Sequence, residues 1–240
     1  MRVTTLSLTL AAFVATALPA PAFAQEDGTF AIFIRGFRFG TIAYSGVENG
    51  GSYATASLVE ASGLIGALVN ARYDATSRGS VSGGRYVPAR YDVTSKRGDR
   101  RTTATLTYSG GVPASNVQDP PRNARPSDIA PSAQGGTLDP STAIYLALRD
   151  VSPDAACTLN FDMYDGRYRA KITILDPKPE GDGLVCSGAY ERLAGYSDKE
   201  MSEGRRFPFT ATYRPVEGGK LRLTQISMDT LYGRARVDRR

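Results

Sequence analysis

Apolar and polar residues alternate with a period of two along much of this chain, and that alternation constrains its fold more than any other feature. The alternation runs through residues 69–76, 85–96 and 102–108. Successive side chains of a β-strand point to opposite faces, so this pattern is typical of strands with one buried and one solvated face. Asn49-Gly50 and Gly83-Gly84 separate neighbouring runs and predict hairpin turns.

The number of such runs predicts a mainly β protein. The runs amount to about ten strands, and turns rather than helical crossovers join them, so the sheet should be antiparallel. A sheet of about ten strands must curl. We therefore expect a strongly curved antiparallel sheet, a half-barrel, formed by residues 25–240 as a single domain.

One helix is predicted to begin at residue 140 and to end near Asp150. Asp139 suits the N-cap position, Pro140 suits the first helical position, and apolar residues follow from Ala143 onward. We expect this helix, alone or with a second one, to cover the concave face of the sheet.

Residues 110–136 differ from the strand pattern and predict a long exposed loop. This segment contains Pro113, Pro120, Pro121, Pro126 and Pro131 among many small polar residues. Long segments of this composition are either functional or act as connectors. Two interpretations stay open, a mobile connector and a flap over a ligand cavity.

The N-terminal residues 1–24 have the pattern of a secretory signal peptide. A basic Met1-Arg2 start precedes the apolar run 6–18, and Ala22-Phe23-Ala24 is a cleavage site of small residues. Gln25 rather than a cysteine follows, which disfavours a lipid anchor. The pattern predicts export to a bacterial periplasm with cleavage after Ala24, and no later apolar run is long enough to span a membrane.

Composition narrows the available chemistry. The chain has no histidine, which is the commonest general base and metal ligand, and we find no nucleophile motif. We therefore expect a protein that is not an enzyme, with no cofactor and no metal site. The net charge of +5 is mild and contains no dense basic run, so we expect no nucleic-acid partner.

Cys157 and Cys186 are the two cysteines of the chain. In an oxidising compartment, two thiols most simply form one disulfide. Their separation excludes a C-x-x-C redox motif, so we predict a structural disulfide.

Several motifs of the chain resemble a known family. They include the helix start Leu138–Ala143, the order of Cys157, Tyr164–Tyr168 and Cys186, and the glycine-punctuated segment from Gly36 to Gly40. In these features the chain resembles the exported bacterial family called domain of unknown function 3108. The resemblance implies a curved antiparallel sheet with helical pieces on its concave face, like the half-barrels of periplasmic lipoprotein carriers. It implies no catalytic residues.

Three functions remain open at this stage. The protein could bind a lipid or another acyl chain in an apolar concavity, or it could hold a protein partner in the cell envelope as a structural or assembly factor. It could also hydrolyse an envelope polysaccharide with two carboxylates. Oligomeric state is not predicted. Candidate residues for lining an apolar cavity, for each of which ordinary core is the alternative, are Phe33, Phe37, Phe39, Leu64, Ile65, Ile144, Tyr145 and Leu148.

Overall fold

A computed structural model describes residues 24–63, 70–230 and 233–240. Within these residues the strands are β1 (Ala24–Ile34), β2 (Phe37–Asn49), β3 (Ser52–Ala61), β4 (Ala71–Ser82), β5 (Arg85–Arg97), β6 (Arg100–Ser109), β7 (Val112–Asp119), β8 (Leu159–Tyr164), β9 (Arg169–Glu180), β10 (Gly183–Ala194), β11 (Arg206–Pro215), β12 (Leu221–Thr230) and β13 (Gly233–Arg239). The helices are α1 (Pro140–Leu148) and α2 (Asp198–Ser202), with single 3-10 turns at Pro131–Ala133 and Glu217–Gly219.

All these strands belong to one antiparallel sheet. Its order is β7-β6-β5-β4-β3-β2-β1-β13-β12-β11-β10-β9-β8. The chain therefore forms two meanders, β1 to β7 and β8 to β13, and pairs such as Ile32 with Val237 join them between β1 and β13. The mainly β, antiparallel class predicted from the alternation is confirmed. Residues 1–23, which make up nearly all of the predicted signal peptide 1–24, lie outside the described residues, as do Leu64 and Ile65.

The strand count is a correction, because the described sheet has thirteen strands where the sequence predicted about ten. One reason is that the loop expected over 110–136 is partly a strand, since β7 occupies Val112–Asp119. Pro113 pairs with Tyr108 at a shift in the ladder register, where a residue without an N–H does not interrupt regular hydrogen bonding. The proline content of the segment concealed the strand.

The two edge strands, β7 and β8, approach each other without pairing as neighbours. Asn116 on β7 donates from Nδ2 to the carbonyl of Gly166, in the turn after β8, at 2.6 Å. Leu106 on β6 and Tyr164 on β8 are fully buried in one apolar cluster. The sheet thus bends around one face, which we call the inner face.

Helix α1 lies on the inner face, against β2, β3, β4, β5 and β8. Gly46 on β2 permits the close approach, because a Cβ at this position would overlap the ring of Tyr145. The other helix, α2, connects β10 to β11 and has no buried residue. Among the described residues, no helix is long and apolar enough to cross a membrane.

A buried carboxylate fixes the N-terminus of α1 to the inner face. Asp139 has 0% exposure and caps the helix by accepting the Thr142 N–H at 3.0 Å. The same carboxylate accepts the hydroxyl of Ser77 on β4 at 2.6 Å and that of Thr142 at 2.7 Å. On β3, the hydroxyl of Tyr53 lies 3.0 Å from that of Thr142. These hydrogen bonds join the helix start to two strands at once.

A second polar cluster fixes the C-terminal end of α1. Glu48 on β2 accepts the Tyr145 hydroxyl at 3.0 Å and Nη1 of Arg149 at 2.8 Å, and the Tyr86 hydroxyl also donates to Glu48. The Arg149 guanidinium lies over the rings of Tyr86 and Tyr145, 5.5 and 5.4 Å from their centroids. Both ends of the helix are therefore held by side chains of the sheet.

Cys157 and Cys186 form the predicted disulfide, with their Cα atoms 5.6 Å apart. Cys157 lies in the segment between α1 and β8, and Cys186 is a fully buried residue of β10. The bond therefore ties the segment after α1 to the second meander.

Loss of this crosslink should destabilise the fold. The two cysteines are 29 residues apart in sequence, and closing a loop of that size contributes roughly 3–4 kcal/mol through the entropy of the unfolded chain. We expect Cys157→Ser to lower the urea midpoint accordingly, and to leave one titratable thiol in the denatured, non-reduced protein. The wild-type protein, treated identically, serves as control. Two free thiols in the wild-type protein would refute the pairing.

The buried Asp139 should make stability depend on pH. Burial raises the pKa of this carboxyl despite the hydrogen bonds that it accepts, so the folded state holds its proton more tightly than the unfolded chain. As pH rises from about 4, the unfolded chain ionises first and the folded state loses stability until its own pKa is passed. Asp139→Asn has no such carboxyl, so wild-type stability should fall relative to this variant over that range.

Urea unfolding at a series of pH values measures this difference. Asp74→Asn is the matched control on the opposite face of β4, where hydrogen bonding to Arg72 lowers the pKa of the Asp74 carboxyl. Compared with Asp74→Asn, the wild-type protein should instead gain stability as pH rises. A pH-independent difference between wild type and Asp139→Asn would show that the carboxyl does not titrate on unfolding.

Candidate functional site

A cavity of about 390 Å³ lies on the inner face between α1 and strands β3 to β7. This volume falls within the range of small-molecule sites, roughly 300–1,000 Å³. Its wall is largely apolar, and Tyr73, with 47% of its surface exposed, stands in the wall. The main apolar lining residues are Val59, Ala75, Tyr91, Val93, Ala104 and Ile144.

One row of residues across the sheet lines the cavity, and three of its five members, Ser57, Ala75 and Ala104, have small side chains. Register places Ser57 opposite Ala75, Ala75 opposite Val93, Val93 opposite Ala104, and Ala104 opposite Gln118. Residues in register on adjacent antiparallel strands share a face, so this row runs from β3 to β7 on the inner face. In the neighbouring row the larger Tyr91 and Leu106 lie opposite each other on β5 and β6. We call the first set the small-residue row.

The helix supplies the opposite wall of the cavity. Ile144 projects from α1 into it, and Pro140 at the first helical position also lines it. Asp139 accepts hydrogen bonds from two hydroxyls, and these bonds hold the start of α1 in place. The distance between the helix and the small-residue row is therefore fixed. The polar anchoring of the helix thus preserves the apolar space beside it.

Burial shifts the pKa of two titratable groups in the wall of this cavity, Asp165 and Tyr91. Asp165 is the one carboxyl that lines it within the described residues. Burial raises the pKa of Asp165, and its Oδ1 already accepts the backbone N–H groups of Arg167 and Tyr168 at 2.8 and 2.7 Å. Burial also raises the pKa of the Tyr91 hydroxyl. A glycosidase mechanism needs two convergent carboxyls, and this wall offers one.

Asp74 and Asp92 do line a common groove, but on the outer face of the sheet. Each is held by an arginine of its own strand, Asp74 by Arg72 at 2.6 Å and Asp92 by Arg90 at 2.6 Å. Hydrogen bonding to these guanidiniums lowers the pKa of both carboxyls. Neither carboxyl is therefore suited to give up a proton as a general acid near neutral pH.

A second cavity of about 500 Å³ lies on the inner face near the other end of α1. It is lined by hairpin turns such as Gly110-Gly111 and by Leu146, Phe161 and Arg149. The Arg149 charge is balanced by Glu48. Because this cavity combines a guanidinium with apolar groups, it is less suited to a purely apolar ligand than the cavity at the small-residue row.

The structure brings three of the eight cavity candidates together on α1. Ile144 lines the cavity at the small-residue row, whereas Tyr145 and Leu148 are 3% and 4% exposed and pack into the core against the sheet. Tyr145 and Leu148 are therefore ordinary core residues rather than lining residues of this cavity.

The aromatic candidates near the N-terminus lie elsewhere. Phe33 on β1 lies under the guanidiniums of Arg236 and Arg240, 5.6 and 5.9 Å from its ring centroid. Phe37 begins β2 and is 68% exposed, and Phe39 is half-buried. None of these rings lines the cavity at the small-residue row. Leu64 and Ile65 lie outside the described residues.

Sequence reasoning missed the residues that create the cavity. Ala75, Val93 and Ala104 are apolar members of the alternating runs 69–76, 85–96 and 102–108, but their alignment in one row depends on strand register. Register is set by turns and bulges, such as the shift between Arg78 and Gly79. A search for small residues at equal distances from each predicted turn could have found part of this row.

No group of histidine, cysteine, aspartate or glutamate residues suited to a metal ion occurs in the part of the chain that the structure describes. No curated protein and no solved structure matches the chain. A family model described as "Protein of unknown function (DUF3108)" matches residues 29–176, from β1 to β9. This match covers the hairpins of the first meander, helix α1 and the small-residue row, so the chain belongs to the DUF3108 family.

Proposed function

We propose that this protein binds the apolar part of an amphiphile, a lipid or another acyl chain, in the cavity at the small-residue row. In this proposal the sheet acts as a half-barrel, and α1 forms the opposite wall of the binding site. The protein would be exported to the bacterial cell envelope by its signal peptide, and it would act by binding rather than by catalysis.

The observation that carries the proposal is the apolar wall of the cavity beside α1. Hydrophobic lining residues such as Val93, Ala104 and Ile144 face a space of about 390 Å³. Transfer of one methylene group from water to such a wall contributes about 0.8 kcal/mol. A micromolar dissociation constant corresponds to about 8 kcal/mol, so on the order of ten buried methylene groups are needed to reach it, together with those that offset the entropic cost of association.

The non-enzymatic part of the proposal is supported by the distribution of reactive groups. The sequence has no histidine, and both cysteines are in the disulfide. Within the described residues Asp165 is the one carboxyl that lines this cavity, and its Oδ1 accepts the backbone N–H of Arg167 in the same turn. A binding protein needs none of these groups to react.

A second candidate function is favoured by the edge strand β7. Within the described residues β7 has β6 as its one ladder partner, and Val117 on β7 is 65% exposed. An exposed strand edge can accept a strand from another protein. If the cavity takes up no acyl chain, this edge makes the assembly-factor function the stronger hypothesis.

Filling the cavity should abolish binding of an acyl chain. Ala104→Phe places a ring in the small-residue row and would exclude at least two methylene groups, which weakens binding by about tenfold or more. The measurement is titration with a fatty acid that carries an environment-sensitive fluorophore.

Ala54→Phe is the matched control, because Ala54 is exposed on the outer face of β3 and lies outside this cavity. This variant should bind the probe like the wild-type protein. Ile144→Asp should weaken binding from the opposite wall. Equal probe affinity of the wild-type protein, Ala104→Phe and Ile144→Asp would exclude this cavity as the binding site.

A further inference from the structure

We infer that an arginine-lined pocket next to the proposed acyl site binds a phosphate group, so that the full ligand is an amphiphile with a phosphate headgroup. This inference rests on the proposed function, because it assigns the polar end of the same ligand. It depends on four guanidiniums that surround one space and on a residue shared between the two cavities.

The pocket has a volume of about 460 Å³ and is formed where three parts of the chain meet. Arg100 comes from the start of β6, Arg122 and Arg125 from the segment after β7, and Arg167 from the turn between β8 and β9. The remaining lining residues are uncharged. The pocket therefore combines four positive charges without an acidic group in its wall.

Three of these arginines are held in place by contacts that leave donors free. Arg122 donates from Nη2 to the carbonyl of Gly166 at 2.8 Å, and Arg125 donates from Nη1 to the Tyr168 hydroxyl at 3.2 Å. Arg167 donates from Nη2 to a carbonyl at 3.2 Å, and its Nε lies 3.4 Å from a carboxylate oxygen of Asp128. Each guanidinium has five N–H donors, so most of them remain free for a ligand.

Arg100 differs from the other three because its side chain has no hydrogen-bond or ion-pair partner within the described residues. Carboxylates near the pocket offset part of its charge: Asp128 lies against Arg167, Asp165 interacts electrostatically with Arg122 and Arg167, and Glu200 interacts with Arg125. An excess of positive charge therefore remains. Structurally paired arginines have a carboxylate partner, as Arg72 and Arg90 do on the outer face.

Gln118 connects this pocket to the proposed acyl site. It is the last member of the small-residue row and lines both cavities. A ligand whose chain lies along Ala104 and Val93 would therefore place its polar end beside Arg100 and Arg122. The two spaces together fit a molecule with an apolar chain and an anionic head.

The guanidinium group favours phosphate over a carboxylate of equal size for a geometric reason. A phosphate monoester presents three oxygens with up to two negative charges, and several forked guanidiniums can each donate to it in pairs. A fatty-acid carboxylate presents two oxygens and one charge, and it would engage fewer of the four arginines. The same pocket could also take free inorganic phosphate, so the test must separate the two sources.

The test compares two ligands that differ only in the phosphate, lauroyl lysophosphatidate and monolauroylglycerol, with inorganic phosphate as a third ligand. Isothermal titration of the full-length mature protein below the micelle concentration gives the three affinities. We expect lysophosphatidate to bind at least tenfold more tightly than monolauroylglycerol, and this advantage should decrease as salt is raised. Inorganic phosphate should bind far more weakly than lysophosphatidate.

Arg100→Gln isolates the headgroup contribution, because that side chain makes no hydrogen bond or ion pair within the described residues, so the variant should fold normally. It should weaken lysophosphatidate binding about tenfold and leave monolauroylglycerol binding unchanged. Arg205→Gln is the matched control, because this substitution removes the same charge as Arg100→Gln at an exposed residue that lies outside both cavities. It should change neither affinity.

The possible failures are distinguishable. If neither amphiphile binds, the proposed function itself fails. If both amphiphiles bind with equal affinity, or Arg100→Gln and Arg205→Gln behave alike, the acyl site stands and the headgroup site is refuted. Binding of inorganic phosphate as tight as that of lysophosphatidate would assign the pocket to a free phosphate and refute the amphiphile.

Discussion

The buried carboxylate of Asp139 is the interaction on which the inner face depends. A helix of nine residues has little intrinsic stability in water, so α1 needs the sheet to fix it. Asp139 provides this by capping the helix and accepting the hydroxyl of Ser77 on β4 in the same site. Unpaired buried polar groups are costly, so these hydrogen bonds favour the observed position of the helix. The cavity beside Ile144 has a defined shape because the helix cannot slide into it.

The inner face combines firm polar anchors with an apolar gap between them. Glu48 and Arg149 hold the C-terminal end of α1, while the small-residue row leaves a gap between the sheet and the middle of the helix. Alanine and serine at such positions forgo the contacts that larger side chains would make, which costs packing energy in a protein without a ligand. A ligand that occupies the gap would recover that energy, and this gives the proposed amphiphile a physical role in the fold.

The charge distribution gives the proposed ligand an orientation. Arginines on the outer face, such as Arg72 and Arg90, are neutralised by aspartates on their own strands. Arg100 and its neighbours are concentrated instead near Gln118, at the end of the small-residue row. An amphiphile would therefore enter with its chain along β4 to β6 and its headgroup near the start of β6.

Local sequence signals determined the β class, the hairpin turns, the start of α1 and the cysteine pairing, because each depends on neighbouring residues or on the two cysteines alone. The Asn49-Gly50 turn and the Asp139 cap could be predicted because their conformations are set within a few residues. Strand β7 could not, since its proline, Pro113, is accommodated by a register shift against Tyr108. The candidate site depended on the tertiary structure for the same reason. Ala75, Val93, Ala104 and Gln118 are distant in sequence, and only the register of successive strands places them in one row.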